Sequence, residues 1–423
     1  MHVVILGNGV TGISAALEVR AQRPDWRITV ISGESKYHWS RPALMYVFMG
    51  HMRYQETKPF PDSFWSEQRI DLHRGWVTGV DVENKRLDIT GQPSMGWDRL
   101  LIASGSRSNM FGWPGQGLDG VQGLYGLPDL KLLYENAEDT RQAVIVGGGL
   151  VGIEMAEMLH SRNIHVTLLV RESSYCAHFL SAQESAMINR AIREQGMDLQ
   201  LETELASIED DGNGRCCAVV TKDGRRLECQ LVGLTAGVSP NVGFLEGSGL
   251  DVGRGLLVDS RLQASANNVW AAGDCAEIAT DGEGRNLIQQ VWYAGKMQGE
   301  VAGENIAGGN RTYDPGIWFN SAKFLDLEYH TYGDVNRRVP GEENLFWEHS
   351  SHRHSARIVH SDGAVIGLQT MGLRWRHEVA EQWIAEQRAV GDALEGLREL
   401  AFDPEFHRRH EAAISRSFRE QLS

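Results

Sequence analysis

The chain has 423 residues, a formal net charge of −15, 42% apolar residues and 47 glycines. That length accommodates two or three domains with a large apolar core, and the composition fits a globular α/β protein and excludes a disordered or fibrous one. The acidic balance argues against nucleic acid as a partner and against a generally basic membrane-docking surface. No apolar run approaches the length of a membrane span and no basic stretch precedes the first apolar run, so the expectation is a soluble, cytoplasmic protein without a secretory signal.

The stretch Met1–Glu34 organises the rest. Val3-Val4-Ile5-Leu6 reads as a buried strand, and Gly7-Asn8-Gly9-Val10-Thr11-Gly12 as a glycine turn. Ile13-Ser14-Ala15-Ala16-Leu17 reads as a helix and Ile28-Thr29-Val30-Ile31 as a second strand that leads to Glu34. Strand, glycine turn, helix, strand and acid form the layout of a dinucleotide-binding βαβ unit. Gly7 permits a tight turn, Gly9 admits a pyrophosphate to the backbone N–H groups, and Gly12 lets helix and strand pack closely. The helix N-terminus then offers unpaired N–H groups and partial positive charge to the anion. Glu34, just past the second strand, is placed to accept hydrogen bonds from an adenosine ribose.

Beyond Glu34, Tyr37–Leu44 is too irregular for a strand, a helical stretch follows, and residues 76–90 read as a small hairpin broken at Glu83-Asn84-Lys85. Leu100–Ala103 is a strand ending in the small residues Ser104-Gly105-Ser106, and Trp113-Pro114-Gly115 opens a connector. The plan then repeats. Ala143–Val146 is a strand, Gly147-Gly148-Gly149-Leu150-Val151-Gly152 a glycine turn, Ile153–Leu159 a helix and Val166–Val170 a strand. A polar hairpin around Asp210–Gly214 and a strand at Leu231–Leu234 ending in Thr235-Ala236-Gly237 complete the copy, in which Gly147 takes the place of Gly7. At the acid's place the second copy has Val170 followed by Arg171. An arginine there favours the 2′-phosphate of NADPH, with a solvated Arg171 and an inward Glu172 as the alternative.

Val269–Ala272 is a strand with Gly273-Asp274 at its C-terminal end, where ligands of open α/β sheets gather; a helix N-cap is the alternative role for Asp274. A helix with close-packing glycines and alanines follows from about Gln289 through Ile306. From Tyr313 the character changes, with eight of the fifteen histidines beyond residue 329. Alternating stretches at 322–332, 345–349 and 354–360 predict a small antiparallel sheet, 375–400 one or two helices, and Asp403–Leu422 an appended polar helix. Trp347-Glu348-His349 with His352 and His354 matches no compact zinc spacing, so no metal site is expected. The five cysteines, Cys176, Cys216, Cys217, Cys229 and Cys275, form no CxxC pair and read as buried thiols.

With these pieces placed, the sequence resembles the two-dinucleotide-binding-domain flavoproteins, the pyridine nucleotide-disulfide oxidoreductases. Among their branches the rubredoxin/ferredoxin-reductase-like members and the FAD subunits related to nitrite reductase are nearest. The resemblance covers about residues 1–400 and implies an α/β fold of two Rossmann-like domains, one inserted in the other, plus a small α+β C-terminal domain. The implied divisions are 1–114 with 236–312 for FAD, 115–235 for NAD(P)H, 313–400 for an interface domain and 401–423 for a helical tail. The FAD site it implies comprises Gly7, Gly9, Val10, Thr11, Gly12, Glu34, Ser35, Arg41, Pro42, Ala103, Ser104, Gly105, Gly273, Asp274, Gln290, Val291 and Trp292. The helix after Gln290 would aim its N-terminus at the pyrimidine side of the flavin and stabilise its anionic reduced form. The NAD(P)H site comprises Gly147, Gly149, Leu150, Val151, Gly152, Glu154, Arg171 and Gly237.

Two departures matter. Residues 35–60 contain no cysteine where disulfide-reducing, peroxidase and coenzyme-A-linked members carry one or two, so thiol chemistry at the flavin is not expected. Ser40-Arg41-Pro42-Ala43-Leu44 is similar to the arginine–proline segment of ferredoxin reductases, but Tyr46 replaces the lysine that would pair with a glutamate such as Glu154. The expected activity is hydride transfer from NAD(P)H to FAD, with no catalytic side chain singled out. Electrons then pass to an external acceptor, first an iron–sulfur or rubredoxin-type protein. The alternatives are a quinone, another small molecule or O2, or service as a flavin-bearing subunit or redox sensor. Arg337-Arg338, Arg374/Arg376 and Arg408-Arg409 are candidate basic patches for an acidic carrier, against an ordinary solvated surface. A homo-oligomer is compatible with the sequence.

Overall fold

The computed structural model describes residues 1–280, 286–336, 341–402 and 409–423. Two compact units are present. The first comprises Met1–Arg141, Asp210–Cys217 and Gln230–Pro315, and the second comprises Gln142–Glu209, Ala218–Cys229 and Gly316–Ser423.

The first unit is built on a five-stranded sheet in the order Val269–Ala271, Arg99–Ile102, His2–Leu6, Arg27–Ser32, Ile70–Arg74. All four neighbouring pairs are parallel. Strands buried on both faces must be apolar throughout, which is why Val3, Val4, Ile5, Leu100, Leu101 and Ile102 are wholly inaccessible. The helices Val10–Gln22 and Trp292–Ile306 pack closely together. A side chain at Gly299 would collide with the Thr11 carbonyl, and one at Gly303 would stand 2.7 Å from that of Ala15. The expected hairpin at 76–90 is a three-stranded antiparallel sheet, Val77–Asp81, Arg86–Ile89 and Gln92–Gly96. Its third strand leaves no mark on the sequence because Pro93 and a largely exposed surface carry no apolar alternation.

In the second unit Gln142–Val146, His165–Leu169 and Asp198–Gln200 lie parallel in that order, with the helix Leu150–His160 after the first strand. This unit also holds a five-stranded antiparallel sheet, Phe319–Phe324, Leu327–Gly333, Ala364–Met371, Ser355–Ser361 and Glu342–Glu348 in spatial order. The single stretch expected at 322–332 is two strands joined at Leu325-Asp326, where Leu325 takes φ 54°. The strand Ala364–Met371 was not expected, because a near-continuous apolar run has no period to read. The region 375–400 folds as three short helices, His377–Ala385, Val390–Glu395 and Leu397–Leu400. The tail helix Glu411–Leu422 is amphipathic, contrary to the expected polar appendage: Ile414 and Phe418 are buried in the apolar cluster with Trp383 and Leu400. The opposite face of this sheet mixes apolar residues such as Val359 and Met371 with polar ones. Its buried Arg357 pairs with the buried Glu184 of the helix Ala182–Glu194 at 3.1 Å and donates to Gln369 at 2.8 Å and Asn344 at 3.0 Å.

Of the candidate basic patches, Arg337-Arg338 and Arg408 lie outside the described residues. Arg374 is paired with Glu328 at 2.6 Å, and Arg376 stands at the N-cap of the helix His377–Ala385. No helix among the described residues is long and apolar enough to cross a membrane.

Candidate functional site

In the first unit the glycine turn after His2–Leu6 forms a cradle. Gly7 has φ +110°, and a Cβ there would collide with the Ala103 carbonyl. A Cβ on Gly12 would strike the Gly7 carbonyl. Gly9 is different: nothing lies within 4 Å of where its Cβ would be. It is also the N-cap of Val10–Gln22 and supplies no side-chain cap, so the first-turn N–H groups are left for a guest. The open direction, the unpaired donors and the helix dipole together fit an anionic pyrophosphate.

The rim of this cradle is assembled from distant segments. Asn8 is buried and donates to the carbonyl and hydroxyl of Ser35, at 2.9 and 3.0 Å, and its carbonyl contacts His38 Nδ1 at 2.8 Å. Gly273 approaches so closely that its Cβ would stand 2.5 Å from Thr11 Oγ1, which sets Asp274 beside the helix start. Asp274 accepts from Tyr125 Oη at 3.3 Å, and Tyr125 Oη accepts from the Ser106 N–H at 2.8 Å. Burial drives the Asp274 carboxyl above its ordinary pKa, against the opposing hydrogen bonds of Ser106 and Tyr125. Gln290 Nε2 donates to Ser106 Oγ at 2.8 Å, and Ser104 Oγ to the Asn241 carbonyl at 2.8 Å. Pro42 lies in the 3₁₀ turn Arg41–Ala43; Val291 is the N-cap of Trp292–Ile306, whose first residue Trp292 is exposed.

Glu34 is the most heavily engaged of the expected residues. Arg41 grips it through two bonds, at 2.7 and 3.1 Å, and Oε1 also accepts the Leu127 N–H at 2.8 Å. Arg41 in turn stacks over Trp39 and Tyr125, at 5.3 and 4.6 Å from the ring centroids. Tyr125 and Leu127 lie far along the chain from Glu34 and belong to no local motif, so no pattern in the sequence signals either. Gly237, expected in the nicotinamide site, lies in this first unit beside Asn109, whose N–H donates to its carbonyl at 3.1 Å.

The second unit holds the second cradle. Gly147 has φ +135°, a Cβ on Gly148 would stand 2.7 Å from Val170, and the Cβ direction of Gly149 is open to 4 Å. Gly149 is the N-cap of Leu150–His160, again without a side-chain cap; Leu150 and Val151 form the first turn and Gly152 is buried. The buried Tyr175 donates to the Gly149 carbonyl at 2.9 Å, another contact absent from the motif. One turn in, burial and then the charge of Glu157 push the Glu154 carboxyl up to about 7. Glu157 is held by Lys323 of the strand Phe319–Phe324 at 3.0 Å. Val170 is wholly buried, whereas the Arg171 side chain is 72% exposed and pairs with Glu172 at 2.7 Å.

All five thiols are free, and all but Cys217 are buried. Burial alone raises the Cys176 thiol far above its ordinary pKa, which disfavours the reactive thiolate. Among the described residues no group of three His, Cys, Asp or Glu side chains could hold a metal ion. His349, His354 and His410 do gather, with ring centroids 5.0–5.8 Å apart.

Residues 1–299 match the family model described as pyridine nucleotide-disulphide oxidoreductase. The ferredoxin–NAD(+) reductase subunit of the benzene 1,2-dioxygenase system of Pseudomonas putida is 29% identical over 71% of this chain and 73% of that one. A CoA-dependent NAD(P)H sulfur oxidoreductase of Pyrococcus abyssi is 31% identical over 77% of this chain and 74% of its own length. The structure of an NAD-dependent persulfide reductase from A. fulgidus superposes with a TM-score of 0.86 at 23% identity, covering 100% of this chain and 84% of that one. The chain belongs to the pyridine nucleotide-disulphide oxidoreductase family. It is an enzyme of the FAD-containing, NAD(P)H-dependent oxidoreductase class.

Proposed function

We propose that this chain takes electrons from NAD(P)H at the cradle of Gly147, Gly149 and Gly152 and holds FAD at the cradle of Gly7, Gly9 and Gly12. We assign FAD to residues 1–114 with 236–312, NAD(P)H to 115–235, although Tyr125 and Leu127 of that range reach the first cradle, and an interface role to 313–400 with its tail 401–423. The acceptor is an iron–sulfur or rubredoxin-type protein and the setting is the cytoplasm. The observation that carries this reading is the pair of open cradles at Gly9 and Gly149 in a chain with no cysteine at 35–60. The CoA-dependent relative's name points to sulfur chemistry, and the missing cysteine turns the reading toward the ferredoxin reductase.

When bound, FAD supplies the conversion between a two-electron donor and one-electron acceptors. The chain supplies position and charge. The N-terminal turn of Val10–Gln22 would neutralise the pyrophosphate, Glu34, restrained by Arg41, would accept ribose hydroxyls, and Asp274, oriented by Tyr125, would accept a polyol hydroxyl. Gln290, Val291 and Trp292 stand at the start of the helix Trp292–Ile306, whose positive end would favour negative charge on a reduced flavin. In the other cradle Glu154 holds a proton near neutral pH, and Lys323 keeps Glu157 in place beside it. Steady-state assays with NADH or NADPH test the acceptor. Rapid turnover with an iron–sulfur or rubredoxin-type carrier and slow turnover with quinone or O2 is the expected result. The reverse order would assign a small-molecule reductase.

A further inference from the structure

Trp76 is a large apolar side chain that the core does not use: it is 58% exposed. Its backbone is nevertheless pinned on both sides. The preceding Gly75 N–H donates to the Ser32 carbonyl at 3.0 Å, and the Trp76 carbonyl accepts the Thr90 N–H at 2.9 Å. The residue is therefore held against the end of the strand Arg27–Ser32. There its indole lies flat on Gly33: a Cβ at that residue would stand 2.6 Å from Cε3 and 2.7 Å from Cε2 of the ring. Gly33 does not have a positive φ, so its backbone would accept other residues, and it is the indole that excludes a side chain. The next residue is Glu34.

The neighbouring aromatic rings are already covered. Lys36 and Lys58 each lie 4.9 Å from the Tyr37 ring, and Arg41 stands over the buried Trp39. Trp76 has neither a cation nor another ring over it among the described residues. A ribose held by Glu34 carries its base one bond away, and Trp76 presents a bare aromatic face over Gly33, the residue before Glu34. We propose that Trp76 is the platform on which the adenine of the bound dinucleotide stacks, a positioning residue that lets the first cradle select an adenine dinucleotide over a flavin mononucleotide. This rests on the reading that FAD occupies that cradle. Aromatic rings and purines stack in an offset parallel arrangement, so an indole over Gly33 would slow cofactor release.

The test compares wild type, Trp76→Phe and Trp76→Ala as purified holoenzymes, with thermal unfolding showing that each is folded. The rate of FAD release on dilution is read from the rise in flavin fluorescence. Trp76→Ala should release FAD about tenfold faster, about 1.4 kcal/mol, and Trp76→Phe within about threefold of wild type. The same proteins, stripped and offered FMN, which lacks adenine, should bind it equally. Unchanged FAD release in Trp76→Ala overturns the platform and leaves the FAD reading standing. Equal losses for FAD and FMN overturn it as an adenine contact. A wild-type protein that carries no flavin overturns both.

Discussion

The two glycine cradles share a backbone plan and differ in what surrounds it. The first is closed in by backbone: the helix Trp292–Ile306 lies against Val10–Gln22 through glycines that admit no side chain, and Glu34 is locked by Arg41 and the Leu127 N–H. The second has its charges less tightly fixed, with a near-neutral Glu154, a Lys323–Glu157 pair and an exposed Arg171. A rigid, pre-satisfied wall suits a guest that stays. A wall of adjustable charges suits one that arrives, reacts and leaves.

The largest effect that sharpens this contrast comes from crossing the two open glycines. Gly9 and Gly149 both have backbone angles open to other residues, φ −68° and −117°, so valine should fold at either place. Gly9→Val should weaken flavin retention at least about a hundredfold. Gly149→Val should keep the flavin and raise the NAD(P)H KM by about the same factor, measured by flavin content and steady-state kinetics. Loss of flavin in the second variant, with the first unaffected, would interchange the cradles.

Next in size is the charge at the base of the second unit. Glu184→Ala leaves Arg357 buried without its partner and should cost about 3–5 kcal/mol in urea unfolding. The loss should be smaller in Glu184→Gln, which keeps an acceptor.

Glu154 gives the second cradle a pH signature near neutrality. Its pKa is raised in the folded state, so folding binds this proton more tightly. The stabilisation is complete below about pH 4.5, the ordinary carboxylate value, and is lost as pH rises to about 7. Over that window the wild type should lose up to about 3 kcal/mol relative to Glu154→Gln, seen as a steeper fall of Tm with pH. Parallel Tm profiles would remove Glu154 from the account. The smallest effect belongs to Arg171, whose exposed pair with Glu172 is worth little on its own. Arg171→Ala should lower the NADPH-to-NADH ratio of kcat/KM by about three- to tenfold; an unchanged ratio makes it a surface charge.

Both cradles were legible in the sequence because phosphate binding forces a local pattern: a strand, glycines at fixed spacing and a helix start follow one another directly along the chain. The contacts that finish each wall were not. Tyr125 reaches Asp274 and Lys323 reaches Glu157 from distant parts of the chain, and neither residue type announces such a contact. Arg357 appeared only as one position in an alternating strand, yet its partner Glu184 lies in a helix far earlier in the chain. The tail helix read as polar because Ile414 and Phe418 are sparse among charged residues, although both face the core. Local sequence pattern shows where a glycine cradle forms, and tertiary packing decides what walls it.

Anaerobic titration of the purified protein with NADH and NADPH tests the central claim most directly. The account predicts a flavin absorbance band that one equivalent of reduced nicotinamide bleaches, with no thiol-to-flavin charge-transfer band appearing. A protein without flavin, or a bound flavin that neither nicotinamide reduces, would contradict it.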